Sequence, residues 1–314
     1  MANVFDSIPK RGCLLLPAAD VTSLWSGEPL ACRLVVGYCY HENMPTNTYK
    51  GYTAGPFGQI HYQQAGKQTD PAVVLCHQSP SSSEMFRAAY HPLAAHGLRV
   101  IGIDTPGFGM SDVPDHPPSI EEYATAIAAC IRSLGLNGVT LLGHHTGASI
   151  AAEVAVAEPE LVARLILNGV PVMTAEERAQ YSQALKDSPD VEPRPDGSHL
   201  MAMWERRIRF TPGWTSLSAM HLGVLQMFIA GDTAWYGHRA AFDHDAVATI
   251  KAIRQPTLIL TNTGDDIYYA AARARELRPD FAYAELAGGT HDIVDEQPQA
   301  WSDVVAAFAL KQDP

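Results

Sequence analysis

The chain has 314 residues, of which 46% are hydrophobic and 18% charged, and its 34 acidic against 22 basic residues give a net charge of −12. That length suits one large α/β domain with an insertion or two small domains, and the acidic balance argues against a nucleic-acid backbone or an anionic membrane surface as partner. Five scattered cysteines (Cys13, Cys32, Cys39, Cys76, Cys130) form no CxxC pair, the short apolar run near Leu14 is broken by Pro17, and no window approaches the roughly 20 apolar residues of a membrane span, so a cytoplasmic protein with reduced thiols is expected.

In sequence order, residues 1–51 precede any repeating pattern and are expected as an N-terminal extension, with one strand candidate inside "SGEPLACRLVVGYCYHEN". From Tyr52 onward, short β-rich runs alternate with helical patterns. "AVVLC" (72–76), "LRVIGID" (98–104), "GVTLLG" (138–143), "LVARLILNG" (161–169), "PTLIL" (256–260) and "FAYAEL" (281–286) read as strands bounded by Gly, Pro or polar turns. "SIEEYATAIAACIRSLG" reads as a helix opened by a Ser119–Glu122 capping box, and "GASIAAEVAVAEP" as another ended by Pro159. Continuous apolar strands alternating with helices predict a mostly parallel sheet covered on both faces. Residues 171–250 break the rhythm with helical patterns alone and are expected as a helical cap between two core segments, 52–170 and 251–314.

Chemistry-bearing motifs follow the predicted strands, where open α/β sheets place their ligands. They are His77-Gln78-Ser79-Pro80, "DTPGFGMSD" (104–112), Gly143-His144-His145-Thr146-Gly147, "TNTGDD" (261–266) and "AGGTHD" (287–292). Five such motifs in this order resemble the α/β-hydrolase superfamily over roughly residues 52–312, with a capped, epoxide-hydrolase/haloperoxidase-like pattern. The resemblance implies Asp265 as triad acid, with Asp266 as fallback, and His291 as triad base. It also implies that the N–H groups of Ser79 and Thr146 are oxyanion donors. Two positions depart from the pattern: the elbow nucleophile, usually Ser and sometimes Asp or Cys, is His145, and Gln78 replaces the usual glycine of the oxyanion loop.

His145 is stereochemically tolerable at the positive φ of such a turn, where histidine is one of the enriched non-glycine residues, at a strain of about 1–3 kcal/mol. Three roles stay open for it. It is a nucleophile served by His291–Asp265; or a proton handler or substrate ligand beside a His291–Asp265 base; or a metal ligand with His291 and either His77 or an acid. The centre expected is His145, His291 and Asp265, cofactor-free and without a metal. It would act on a small hydrophobic carbonyl compound by hydrolysis of an ester, lactone or C–C bond. The alternatives are a cofactor-free lyase or a non-catalytic binding member of the fold.

Most other candidates carry structural readings. His144 is expected to pack locally, His77 to brace the oxyanion loop, and Cys76 to sit in the core. Asp104 and Ser111 are expected to stabilise a loop, and Ser81–Ser83 to form a turn and helix cap. Gln78 is a candidate polar contact in the pocket. Trp204, among the abundant Met and aromatic residues of 201–236, is a candidate pocket wall. Arg206, Arg207 and Arg209 are read as a solvated helix face, with an anionic substrate as the sharper option. The partner expected is a small molecule, with a homodimer left open.

Overall fold

The computed structural model describes residues 48–186, 192–211, 213 and 216–311; the strand candidate expected within 26–43 lies outside them. Eight strands, β1 (Tyr49–Gly55), β2 (Gly58–Ala65), β3 (Ala72–Cys76), β4 (Arg99–Ile103), β5 (Val139–His144), β6 (Val162–Asn168), β7 (Thr257–Asn262) and β8 (Ala282–Leu286), form one sheet in the order β1-β2-β4-β3-β5-β6-β7-β8. β1 and β2 pair antiparallel with each other and β2 pairs antiparallel with β4, while every pairing from β4 to β8 is parallel. Six of these strands match the apolar runs of the sequence within one or two residues. The β1–β2 hairpin has no such run. Its strands "YKGYTAG" and "GQIHYQQA" are polar, and β1 is exposed or half-buried throughout. Since β1 starts at Tyr49, the boundary expected between residues 51 and 52 falls inside a strand of the sheet.

The parallel strands explain the continuous apolar runs. Alternate side chains feed opposite faces and both faces are covered, so β4, β5 and β7 are buried without a break. Val74, Leu141, Leu165, Leu167 and Ile259 pack on one side with α2 (Ile120–Ser133), α3 (Thr146–Ala157) and α8 (Ala246–Ala252). Val73, Leu75, Leu142, Ile166, Leu258 and Leu260 pack on the other with α1 (Tyr90–Ala95) and α11 (Pro298–Ala309). The capping box forms as expected: the Ser119 hydroxyl accepts from the Glu122 N–H, and the Glu122 carboxylate accepts from the Ser119 N–H at 2.8 Å.

Between β6 and β7 the described residues carry only helices: α4 (Ala175–Lys186), α5 (Ser198–Phe210), α6 (Leu217–Ala230), α7 (Tyr236–Asp243) and α8. After β7 come α9 (Tyr268–Leu277), then β8, α10 (Ile293–Glu296) and α11. No helix among the described residues is long and apolar enough to cross a membrane.

One buried amide ties these layers to the strand ends. Asn168, the last residue of β6, is fully buried; its Oδ1 accepts from the Trp301 indole N–H of α11 at 2.6 Å, and its backbone carbonyl accepts from the His145 N–H at 2.9 Å. Asn168→Leu strands the indole N–H without an acceptor, which costs about 1–3 kcal/mol. A urea titration should show a lower midpoint with an unchanged slope; a midpoint equal to that of the wild type contradicts this role.

Candidate active site

β5 ends at His144 and α3 begins at Thr146, so a single residue makes the turn between them. That residue is His145, with φ 49° and ψ −113°, and it has the one positive φ among the described non-glycine residues. The turn is forced by packing. A Cβ on Gly143 would sit 2.0 Å from the Gly147 carbonyl oxygen, and one on Gly147 would sit 2.2 Å from that of Cys76, so neither position admits a side chain. His145 is held there by its N–H to Asn168 and by its carbonyl, which accepts from the Ala148 N–H at 2.8 Å.

The imidazole of His145 meets Asp265. Its Nε2 lies 2.9 Å from Asp265 Oδ2, and the carboxylate is wholly buried at the loop after β7, with its Oδ1 accepting from the Ile267 N–H at 3.0 Å. Burial alone would raise the Asp265 pKa, but the charge and hydrogen bond of His145 hold it below the usual carboxylate range. Burial likewise opposes charge on His145, and the Asp265 carboxylate outweighs it, raising the imidazole above its ordinary 6.5. An ionised carboxylate only accepts, so in neutral His145 the proton is on Nε2 and Nδ1 is left with a bare lone pair. Nδ1 has no hydrogen-bond partner among the described residues.

Room for this pairing comes from Gly169, at φ +59° directly after β6. A Cβ there would lie 2.5 Å from His145 Cδ2, 2.7 Å from its Nε2 and 2.9 Å from Asp265 Oδ2. In the sequence Gly169 marks only a strand boundary; a hole cut for an imidazole leaves no further trace there.

The expected partnership of Asp265 with His291 is therefore corrected. His291 Nε2 accepts from Arg207 Nη1 at 2.6 Å, and its Nδ1 stands 3.9 Å from Oδ1 of the exposed Asp266. The His145 and His291 rings are 6.3 Å apart between centroids. The physical reason is reach: position 145 carries an imidazole long enough to touch Asp265 itself. Arg207 also grips Asp292 through a second, short contact, and Gln78 Nε2 donates to the other Asp292 oxygen at 3.4 Å. Gly223 of α6 leaves space for this guanidinium, since a Cβ there would lie 2.9 Å from Arg207 Nε. Arg207, expected on a solvated face, instead inserts into the site, and Asp292 is a member to which its motif "AGGTHD" gives no role from sequence.

The supporting residues take the structural roles expected of them. His77 accepts from the Thr105 N–H at Nε2 (3.0 Å) and so donates from Nδ1 to the Gln78 carbonyl (2.8 Å), which braces the oxyanion loop. Burial lowers its pKa further, so it stays neutral. With both nitrogens engaged there, and His291 Nε2 on Arg207, the metal set His145–His291–His77 is not assembled. The donors that do converge are His144, His145 and Asp265, whose ligand atoms lie within 4.8 Å of one another. His144 is fully buried, packs edge-on against His145 at 4.7 Å, and is held neutral by burial and by the charge of His145. Asp104 collects the N–H groups of Ser83 and Met110, and Ser82 caps the short 3-10 helix at 83–86.

Above the elbow lies a cavity of about 630 Å³. Gln78, Ser79, His145, Thr146 and His291 line it, and Met173, Tyr181, Met227 and Phe242 give it an apolar wall. Arg206, Arg207 and Arg209 line it too, whereas Trp204 does not. Trp204 is half-buried on α5 outside the lining, so its expected place in the pocket wall is not observed.

A family model described as the alpha/beta hydrolase fold matches residues 71–218. The protein has the alpha/beta hydrolase fold. It is 26% identical over 277 residues to a non-heme chloroperoxidase of Streptomyces lividans, covering 79% of this chain and 95% of that protein. It is 30% identical over 139 residues to bifunctional epoxide hydrolase 2 of Sus scrofa, covering 43% of this chain but only 24% of the pig protein's length. Epoxide hydrolase A from Mycobacterium thermoresistibile superposes with a TM-score of 0.70 at 19% identity, over 83% of this chain and 98% of that one, which shows the shared fold.

The His145–Asp265 pair has a pH signature. His145 is raised in the fold, so its charge-linked stabilisation is complete below its ordinary 6.5 and is lost as pH rises through the higher folded pKa. Asp265 is depressed, so its stabilisation is complete above 3.8 and is lost as pH falls through the lower folded pKa. The stability difference between wild type and Asp265→Asn should therefore be greatest near about pH 5 and shrink toward about pH 9. A difference independent of pH across that range contradicts the pairing.

Proposed function

We propose that this α/β-hydrolase-fold protein is a hydrolase acting on a small hydrophobic carbonyl compound, an ester, lactone or activated C–C ketone, with His145 as its base. The observation that carries the reading is the His145 Nε2–Asp265 Oδ2 contact of 2.9 Å. It orients the imidazole as a triad acid orients a triad base, but with the two nitrogens exchanged, so that Nδ1 is the basic atom. Nδ1 is two bonds from Cβ, as is a carboxylate oxygen of an aspartate nucleophile, and so it belongs to the reacting position of the elbow.

In this reading Nδ1 takes a proton from water as the hydroxide adds to the substrate carbonyl carbon. The resulting oxyanion is held by the N–H groups of Ser79 and Thr146. Thr146 is the first residue of α3, where helix N–H groups lack intrahelical acceptors and the helix dipole is positive. The tetrahedral species then collapses, the bond to the leaving group breaks, and the imidazolium returns its proton to that group. Asp265 stabilises the imidazolium while it exists. His291, held by Arg207, is a polar wall of the site in this scheme. The apolar wall of Met173, Tyr181, Met227 and Phe242 supports a hydrophobic substrate body.

His145→Ala should lower kcat/KM on a responsive ester or lactone by roughly 10²–10⁴-fold, Asp265→Asn should lower it within the same range, and His291→Ala should cost less. The wild-type kcat/KM should climb with pH through an apparent pKa above the ordinary 6.5 of histidine, and that limb should move down in Asp265→Asn. Full activity in His145→Ala contradicts the assignment. Products without ¹⁸O after turnover in labelled water would assign the same base to lyase chemistry instead of hydrolysis.

A further inference from the structure

The reaction scheme gives His144 no part, yet its side chain is the least satisfied polar group near the elbow. The imidazole is fully buried, and neither ring nitrogen finds a hydrogen-bond partner among the described residues. Burial disfavours charge there, so the ring is neutral, with one N–H and one lone pair. Buried polar atoms are nearly always paired, and two unpaired ring nitrogens call for a partner that is not a side chain. The neighbours of His144 define that partner. One of its nitrogens, one nitrogen of His145 and a carboxylate oxygen of Asp265 all lie within 4.8 Å of one another. The carboxylates of Asp265, Asp266 and Asp292 all favour positive charge on His145, although Arg207 offsets the last of them. Gly169, which clears the imidazole, keeps a side chain out of the same space.

We propose that His144, His145 and Asp265 bind one divalent transition-metal ion of the zinc type, with Nε2 of His145 as the middle ligand. Two imidazoles and a carboxylate suit such an ion, whereas magnesium demands oxygen donors. At metal–donor distances of about 2.0–2.1 Å, tetrahedral donors stand roughly 3.3 Å apart. The His145 Nε2–Asp265 Oδ2 pair, at 2.9 Å, is already near that spacing, and His144 has at most about 1.5 Å to close. The ion takes the place of the proton that Nε2 shares with Asp265. The neutral ring then carries its one proton on Nδ1, so that proton changes nitrogen through solvent and none is lost overall. The basic atom of the proposed reaction is thereby removed, and metal and base are alternatives on one imidazole. That consequence for turnover rests on the reading of Nδ1 as the base; the metal site itself does not.

Calorimetric titration of the full-length, chelator-treated protein with zinc chloride tests the site without reading any chemistry. The wild type should bind one Zn²⁺ per chain at this site, and excess Mg²⁺ should not compete. His144→Leu should weaken binding by roughly tenfold or more. His116, an exposed imidazole between Asp115 and Glu122, is the rival ligand, and His116→Asn should leave the affinity unchanged. Nitrogen-15 NMR of the histidine-labelled wild type keeps the test independent of how His144→Leu folds: one equivalent of Zn²⁺ should shift the ring signals of His145 and of one further histidine. Absence of Zn²⁺ binding, binding undiminished in His144→Leu, or shifts confined to His116 and other exposed histidines overturns the proposal. On a responsive ester or lactone, Zn²⁺ should inhibit the wild type. Zinc bound at His144 and His145 without inhibition would leave the site standing and contradict Nδ1 as the base.

Discussion

A single hydrogen bond, from the Nε2–H of His145 to the buried carboxylate of Asp265, organises the site, and most of the surrounding structure exists in order that it can form. The elbow backbone lifts position 145 off the sheet because Gly143 and Gly147 let β5, α3 and β3 approach more closely than side chains allow. Asn168 pins the tip of β6 to the elbow on one side and to Trp301 on the other. Gly169, immediately after it, is hollow where the imidazole passes. The loop after β7 turns Asp265 inward and Asp266 outward, so only one of the two neighbouring acids is buried where His145 can reach it. Each of these devices lies at the end of a parallel strand, where the sheet brings loops distant in sequence into contact.

Placing an imidazole at the elbow displaces the rest of the arrangement. With Asp265 engaged by His145, the loop after β8 no longer serves that acid. His291 and Asp292 instead form a polar cluster with Arg207 and Gln78, which joins the helical insertion to the core across the cavity. Gln78, in place of the usual small residue of the oxyanion loop, and Gly223, which clears a path for Arg207, belong to the same rearrangement. The unusual residues of this protein are thus coupled: an elbow histidine, a glutamine in the oxyanion loop and an arginine from α5 meet around one cavity.

The fold is legible in the sequence because a two-faced parallel sheet writes its strands as unbroken apolar runs, and those six runs are β3 to β8. The polar edge hairpin β1–β2 carries no such run and so leaves no comparable signal. Within the site, His145, Asp265, His291, Ser79, Thr146 and Gln78 can be placed near one another from motif order, since strand ends converge. Their pairing cannot. Whether Asp265 meets His145 or His291 depends on a few ångströms of side-chain reach and on an empty volume at Gly169, and neither has a periodicity or a spacing. The inward turn of Arg206, Arg207 and Arg209 is hidden for a related reason: a basic helix segment looks the same whether it faces water or a cavity. Trp204, the candidate wall, is instead set aside by the rotation of that same helix.

The 2.9 Å contact with the Asp265 carboxylate places the proton of the neutral elbow histidine on Nε2 and leaves Nδ1 bare, the atom to which the proposed mechanism assigns the reaction. Nitrogen-15 NMR of histidine-labelled protein, with His145 assigned by its absence in His145→Ala, reads the protonation of both ring nitrogens directly. At a pH above the raised pKa, Nε2 should be protonated and Nδ1 unprotonated, with the Nε2 proton signal lost or shifted in Asp265→Asn. A neutral His145 protonated on Nδ1, or an Asp265-dependent signal that belongs to His291, would contradict it.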